Sequence, residues 1–389
     1  MPAHFQKNKN VNPNKQKKID TYLLVNAIVL IVAGLFIFYS ASLGLFARDS
    51  VKYGSLAVKQ VSIGLIPGII AIYVLSRIKT DTLRRYAFWF FVGSLLLNVV
   101  IFIPGLGLHI LGATRWLNLG MFSFQPSEIL KITSVLFLSS WFTTYRAKIH
   151  EFRYGLVPFA IIVGLIGGIL LAQPDTDTFI VIGIALGAVY FTAGARWREI
   201  GIIILTGLVL IGLLATFRPY VRDRITTLFS NGEKNQTSGY QIRQSLIAIG
   251  SGGITGRGFG QSIQKFQHLP EPVNDSIFAV ASEEFGFVGS VTLVLLFVSF
   301  ALRSFKLATR TPSQFGSLVL VGLSTYIIAQ SFINIMAMTG IMPLSGITLV
   351  FISQGGSALL FSLIAVGIIL NISKTAHEKE GIVTLQIKH

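Results

Sequence analysis

The sequence predicts an all-α polytopic membrane protein with about ten transmembrane helices and one long outer loop between the seventh and eighth. Three observations lead there. Of the 389 residues, 52% are hydrophobic and only 12% are charged, whereas a water-soluble domain carries roughly 25% charged residues. With half the usual supply of charge, the chain cannot cover itself in water; its mean hydropathy is +0.69. Apolar runs of about twenty residues, long enough to cross a bilayer as a helix, recur along the whole length. The polar breaks between them alternate between rich and poor in Lys and Arg, which assigns each break to a side. A closed β-barrel is disfavoured, because its strands would alternate apolar and polar residues over about ten positions.

Taken in order, the predicted helices cover residues 22–43, 56–76, 84–104, 127–144, 155–172, 178–194, 199–217, 277–302, 315–340 and 345–371. The first, Tyr22 to Leu43, is longer than a signal-peptide core and lacks a small-residue cleavage site, so it reads as a retained helix. Basic residues in the short turns set the orientation. A cytoplasmic N-terminus collects twenty of them on that side: Lys7, Lys9, Lys15, Lys17, Lys18, Arg77, Lys79, Arg84, Arg85, Arg146, Lys148, Arg153, Arg196, Arg198, Arg303, Lys306, Arg310, Lys374, Lys379 and Lys388. The short outer loops hold Arg48, Lys52, Lys59 and Arg115. Both termini are thus expected in the cytoplasm, with residues 1–20 and 373–389 as tails on a single membrane domain, 21–372.

The net charge of +16 would suit a nucleic acid, but its concentration in the turns of one side fits membrane topology instead. No cysteine is present, which excludes disulfides and thiol chemistry, and the six histidines show no metal-ligand spacing. No duplication of the two halves is evident, which disfavours an inverted-repeat transporter. The long outer loop, 218–276, carries seven basic residues, and long loops are nearly exempt from the charge rule. Within it, Tyr240–Ile249 reads as an amphipathic stretch suited to a membrane surface. Gly250, Gly252, Gly253, Gly256, Gly258 and Gly260 follow, a density that suggests turns or close approach to a ligand. The Lys-Ser/Thr of a phosphate-binding Walker loop is missing.

Ionisable groups near the membrane are costly, so each is a candidate for function. Glu128 and Lys131, three residues apart at the start of the fourth helix, share a face; they fit a structural ion pair or a polar cavity. Ser127 is expected to cap that helix. Arg115 beside Trp116 suits an interfacial anchor and equally a clamp on a phosphate-bearing lipid head. Pro174-Asp175-Thr176-Asp177 reads as an ordinary tight turn. Asp275, where the long loop meets the eighth helix, suits a helix cap or a shielded carboxylate that removes a proton from an alcohol. Glu283 and Glu284, two turns further, require polar partners.

Five segments, GATRWLNLGMFSFQPSEILKI (112–132), QPDTDT (173–178), SGYQIRQSLIAIGSGGITGRGFG (238–260), LPEPVNDSIFAVASEEFGFVG (269–289) and MPLSGITLVFISQGGSALL (342–360), together resemble the SEDS family. This group contains RodA and FtsW, and the resemblance spans essentially the whole chain. GYQIRQSLIAIGSGG and the closing AVGIILNIS (365–373) bring it nearer the FtsW-like, division-type members. The resemblance implies an inverting peptidoglycan glycosyltransferase of the bacterial cytoplasmic membrane, which polymerises lipid II at the outer face. Asp275 would be the base that takes the acceptor sugar's C4 proton, with undecaprenyl pyrophosphate leaving. Arg115, Glu128, Lys131 and Glu271 would bind the pyrophosphate or support the cavity. No tightly bound cofactor is implied, although a leaving pyrophosphate needs cationic groups or a divalent metal such as Mg or Mn. The implied partners are a class B penicillin-binding protein and other division or elongation proteins, since the sequence shows no Ser-x-x-Lys nucleophile in an outer domain. The chain departs from the family pattern at Val273-Asn274 and Ser276 around Asp275, at Asp177 where a Gly is usual, and at Val350 where a Pro is usual. Two alternatives belong to other classes: a flippase for the same lipid, and a non-catalytic scaffold for which Asp275 would be dispensable.

Overall fold

The computed structural model describes residues 18–47, 50–110, 113–118, 120, 123–229 and 238–386. Lys7, Lys9, Lys15, Lys17, Arg48, Gly112 and Lys388, used above, lie outside them. Every predicted helical range overlaps a helix. In chain order these are α1 (Thr21–Phe46), α2 (Ser50–Lys59), α3 (Ile66–Leu75), α4 (Thr80–Val100), α5 (Pro126–Thr144), α6 (Leu156–Ala172), α7 (Thr176–Ala193) and α8 (Trp197–Phe217). The long loop follows as α9 (Pro219–Phe229), α10 (Ser238–Ser251) and α11 (Gln264–Gln267), and then α12 (Ile277–Arg310), α13 (Gln314–Met338) and α14 (Gly356–Gln386).

Eight of the described helices are long and apolar enough to cross a membrane, with α2 and α3 counted together from Ser55. Two predicted spans are not among the eight. Helix α6 is apolar but only 17 residues long, and α5 carries Glu128, Lys131 and several hydroxyl residues. The chain is a multi-pass helical membrane protein, as predicted, with one small β element. Between α4 and α5 lies a three-stranded antiparallel sheet of β1 (Gly107–Ile110), β2 (Ala113–Asn118) and β3 (Ser123–Phe124). Pairing in that order satisfies the backbone of an otherwise irregular connection and carries Arg115 on its central strand.

Between helices in lipid there is no hydrophobic drive, so close packing and interhelical hydrogen bonds hold the bundle. Helix α13 sits at the middle, packed by α5, α7, α12 and α14. Gly322 allows that approach, since a Cβ there would press on Val135 of α5 and Val189 of α7. Tyr190 of α7 stacks on Phe142 and Phe159, with ring centroids 5.1 and 5.2 Å away. At the opposite extreme α8 presents Ile204, Leu205, Leu208 and Val209 outward, as a lipid-facing helix does. At the predicted cytoplasmic end Asp20 caps α1 by accepting from the Leu23 amide (2.9 Å) and pairs with Arg303 of α12, while its own amide donates to Ser373 of α14.

Two interruptions shape the predicted outer half. Helix α12 breaks at Gly286, whose φ of 66° and ψ of −164° are open to glycine at no steric cost. The glycine-rich stretch supplies the missing partners: Arg257 and Gly258 amides donate to the Glu283 and Glu284 carbonyls, and Phe287 and Val288 amides donate to those of Gly253 and Ile254. Irregular backbone at membrane depth is tolerated only where it is satisfied in this way. Beside the break, Lys265 is fully buried and pairs with Glu284 at 2.6 Å. Glu283 accepts from the Ser262 hydroxyl (2.6 Å) and the Ile263 and Gln264 amides. Both acids of the predicted pair therefore have partners.

The second interruption corrects the last predicted span. Residues 345–355 are irregular, and α14 begins at Gly356. The apolarity of Leu349, Val350, Phe351 and Ile352, which suggests a helix, belongs to a buried strap. Three side chains from two helical elements hold its backbone. Asn334 donates to the Ile347 carbonyl (2.8 Å) and Gln330 to that of Thr348 (3.0 Å). Gln60, opening a π-helical turn (Gln60–Leu65) between α2 and α3, donates to the Ser353 carbonyl and accepts from the Gly355 amide.

Candidate active site

The strap runs directly beside Asp275. Asp275 does not cap α12; Ser276 occupies that position and makes no side-chain cap. Instead its main-chain carbonyl accepts from Asn334 (2.9 Å), and the neighbouring Asn274 carbonyl accepts from Ser353 of the strap (2.7 Å). Ser276 in turn accepts from Gln241 of α10 (2.9 Å), so the amphipathic helix expected at 240–249 packs against the residue after Asp275. Asn334 thus holds the backbone of Asp275 directly, the strap and α10 hold its two neighbours, and no hydrogen bond to its carboxylate is found among the described residues. Burial, then the negative charges of Glu271 and Asp177, push its pKa up from 3.8 to about 7, against the opposing pull of Arg224 and Arg115.

The predicted site residues gather around it in two groups. Arg115 and Glu271 are among the charges that Asp275 feels. Glu271 is exposed, holds a left-handed φ of 48° and accepts from Asn274 (2.6 Å). Arg115 donates to the Gln173 and Pro174 carbonyls and lies 3.9 Å from Asp175. Its fork is therefore engaged by the 173–175 turn, joining β2 to the start of α7. The second group is Glu128 and Lys131, which are buried and paired at 2.8 Å. Lys131 also donates to Gln330 (2.7 Å) and lies 4.9 Å from the Tyr326 ring centre. Through Gln330 this pair reaches the strap at Thr348, so Lys131 props the wall rather than facing the Asp275 carboxylate. Ser127 is not the α5 cap; Gln125 occupies the cap position, and the Ser127 hydroxyl donates to Asp175 (3.4 Å).

Sequence reasoning misses Asp177, Arg224, Gln330 and Asn334. Asp177 reads as a turn residue, yet its carboxylate accepts from Arg224 of α9 (2.7 and 2.9 Å) and from the Gly346 amide (3.2 Å). No local signal pairs Asp177 with residues 47 and 169 positions away. Asn334 and Gln330 carry one: both are polar amides inside an apolar span, which is costly without a task.

Four buried acceptors on these elements have no partner among the described residues: Glu128 Oε2, Gln173 Oε1, Asn334 Oδ1 and Ser345 Oγ. Among the described residues no group of three His, Cys, Asp or Glu side chains could hold a metal ion. The arrangement offers a carboxylate with no hydrogen-bond partner among the described residues, its pKa raised to about 7 and Arg224 and Arg115 among the charges acting on it.

Comparison with known proteins agrees with this architecture. A family described as "Cell cycle protein", comprising FtsW, RodA and SpoVE, matches residues 20–378. Stage V sporulation protein E of Bacillus subtilis is 38% identical over 363 residues, covering 92% of this chain and 98% of that protein. A protein of Geobacter sulfurreducens named probable peptidoglycan glycosyltransferase FtsW is 34% identical, covering 94% and 98%. Among solved structures, a chain of a peptidoglycan synthase complex described as coordinating polymerization and crosslinking superposes with a TM-score of 0.75 at 26% identity, covering 92% of this chain and 99% of that one. Rod shape determining protein RodA of Thermus thermophilus superposes with a TM-score of 0.68 at 27% identity, covering 93% and 98%. With nearly its whole length matched, from α1 through most of α14, this chain belongs to the FtsW/RodA/SpoVE family of SEDS proteins.

Proposed function

We propose that the chain is a peptidoglycan glycosyltransferase that polymerises lipid II into glycan strands at the outer face of the bacterial cytoplasmic membrane, with Asp275 as the general base. The names of its relatives support the activity. The observation that carries the assignment is the state of Asp275: main-chain carbonyl held by Asn334, carboxylate without a hydrogen-bond partner among the described residues, pKa raised to about 7. A general base works best when its pKa lies near the operating pH. Ionised Asp275 takes the proton from the acceptor's C4 hydroxyl. That oxygen attacks the anomeric carbon of the donor, the bond to the pyrophosphate breaks with inversion, and undecaprenyl pyrophosphate leaves. The proton then passes from Asp275 to solvent.

Arg115 and the exposed Arg218, Arg222 and Arg243 of the long loop are the chain's own cations for the departing pyrophosphate. Glu271, beside Asp275, contributes charge at the acceptor side, while Glu128 and Lys131 support the cavity wall. A divalent cation such as Mg or Mn, held through the substrate's phosphates and one or two carboxylates, would add positive charge for the leaving group. The likeness to a chain of a synthase complex supports a class B penicillin-binding protein as the cross-linking partner and a role in division or elongation. Both termini are cytoplasmic in this reading. The test uses purified protein in liposomes with fluorescent lipid II. Muramidase-sensitive polymer supports a glycosyltransferase; transfer of intact lipid II between leaflets without polymer supports the flippase instead.

A further inference from the structure

Asp177 lies in the first turn of α7, is almost fully buried, and ties together three parts of the chain that are remote in sequence. Its two oxygens lie 2.9 and 2.7 Å from one Arg224 nitrogen, and one of them also accepts from the Gly346 amide at 3.2 Å. Gly346 is where these groups meet Asp275. A Cβ built on it would have Arg224 Nη2 and Asp275 Oδ2 as its nearest neighbours, each at 3.8 Å. The arginine of the long loop, the strap and the carboxylate thus converge on one glycine, and Asp177 is the group that touches both the arginine and the strap.

We propose that Asp177 is a positioning residue for the reaction: it anchors Arg224 and the strap at Gly346, and so fixes the charged wall that Asp275 and its substrate face. The proposal rests on the reading of Asp275 as the base. Three features carry it. The Asp177–Arg224 contact is largely shielded, with side chains 11% and 18% exposed, so the pair acts in a medium where one charge strongly affects the next. Asp177 links α9 to the core, and that helix is otherwise packed on the lipid-facing α8 and on α10. The charges that face Asp275 are Glu271 from its own loop, Asp177 from α7, Arg224 from α9 and Arg115 from β2. Asp177 and Arg224 act on Asp275 with opposite sign, and each holds the other in place.

The test compares the full-length parent with Asp177→Asn and Arg224→Gln, alone and together, with Asp177→Ser as a smaller neutral variant in case the amide misfolds. Two readouts are taken across pH: the rate of lipid II polymerisation, and the melting-temperature difference between each protein and its Asp275→Asn derivative, which reports the ionisation of Asp275 without catalysis. Removing the Asp177 charge is expected to move both midpoints to lower pH, by about one unit. Removing Arg224 moves both upward, and the double variant falls between the two. If rates fall while neither midpoint moves, Asp177 is a structural tie only and the proposal is overturned. It is overturned equally if both variants move the midpoints in one direction. Should the melting midpoints move as expected while polymerisation shows no acidic limb, Asp177 stands as the positioning residue and Asp275 as base is what fails.

Discussion

The buried pair that secures the break in α12 gives the sharpest quantitative expectation. Lys265 and Glu284 are 0% and 1% exposed and 2.6 Å apart, and the Ser40 hydroxyl of α1 completes the contact. Lys265→Met keeps the length of the side chain but strands the Glu284 carboxylate, with only Ser40 and the Ser262 amide (3.4 Å) left to it. Breaking one side of a buried pair costs about 3–5 kcal/mol, because a charge remains buried without compensation. Replacing both partners by neutral groups is often close to neutral. Lys265→Met should therefore destabilise by several kcal/mol, and Lys265→Met with Glu284→Gln should recover most of the loss. Thermal unfolding of the detergent-solubilised protein, followed by tryptophan fluorescence, measures both. A single variant as stable as the parent, or a double variant worse than the single, would refute the reasoning that this pair holds the Gly286 break closed.

Three further outcomes follow from the same geometry. Polymerisation should fall about tenfold per pH unit below an acidic limb near pH 7, and Glu271→Gln should shift that limb to lower pH by removing a charge that raises Asp275. Because Asp275 holds its proton more tightly folded than unfolded, it should lower stability as pH rises from about 4 to about 7. Asp275→Asn should then melt with the parent at pH 4 and above it at pH 8. Gly256→Ala should yield no folded protein on size-exclusion chromatography, since its Cβ would strike the Glu284 carbonyl; Gly253→Ala, with nothing within 4 Å, should cost only about 1–2 kcal/mol for its left-handed backbone.

The spans are legible because apolarity over about twenty residues is a local property. So is the Glu128–Lys131 pair, whose three-residue spacing places both on one helix face. Asp275 stands out as an acid at a membrane boundary, and the structure removes its bland alternative by giving the cap position to Ser276. Residues 345–355 mislead because Leu349–Ile352 are buried either way; apolarity reports burial, not the helix that usually provides it. What marks the strap lies elsewhere, in Asn334, Gln330 and Gln60 reaching from other helices to its carbonyls and amides. Asp177 is illegible for the same reason, since its role is set by Arg224 and Gly346 and not by the turn it sits in. The sheet at 107–124 is short, and its pairing bulges between Leu108 and His109, which blurs any alternation.

The role proposed for Asp275 is proton removal at a site built for polymerisation. Its most direct test is glycan synthesis from purified lipid II by the parent and by Asp275→Asn, alone and with a class B penicillin-binding protein, after equal folding of the two is confirmed by their melting curves. Polymer is expected from the parent, with a loss of at least about a hundredfold in the variant. Equal polymer from both proteins would contradict it.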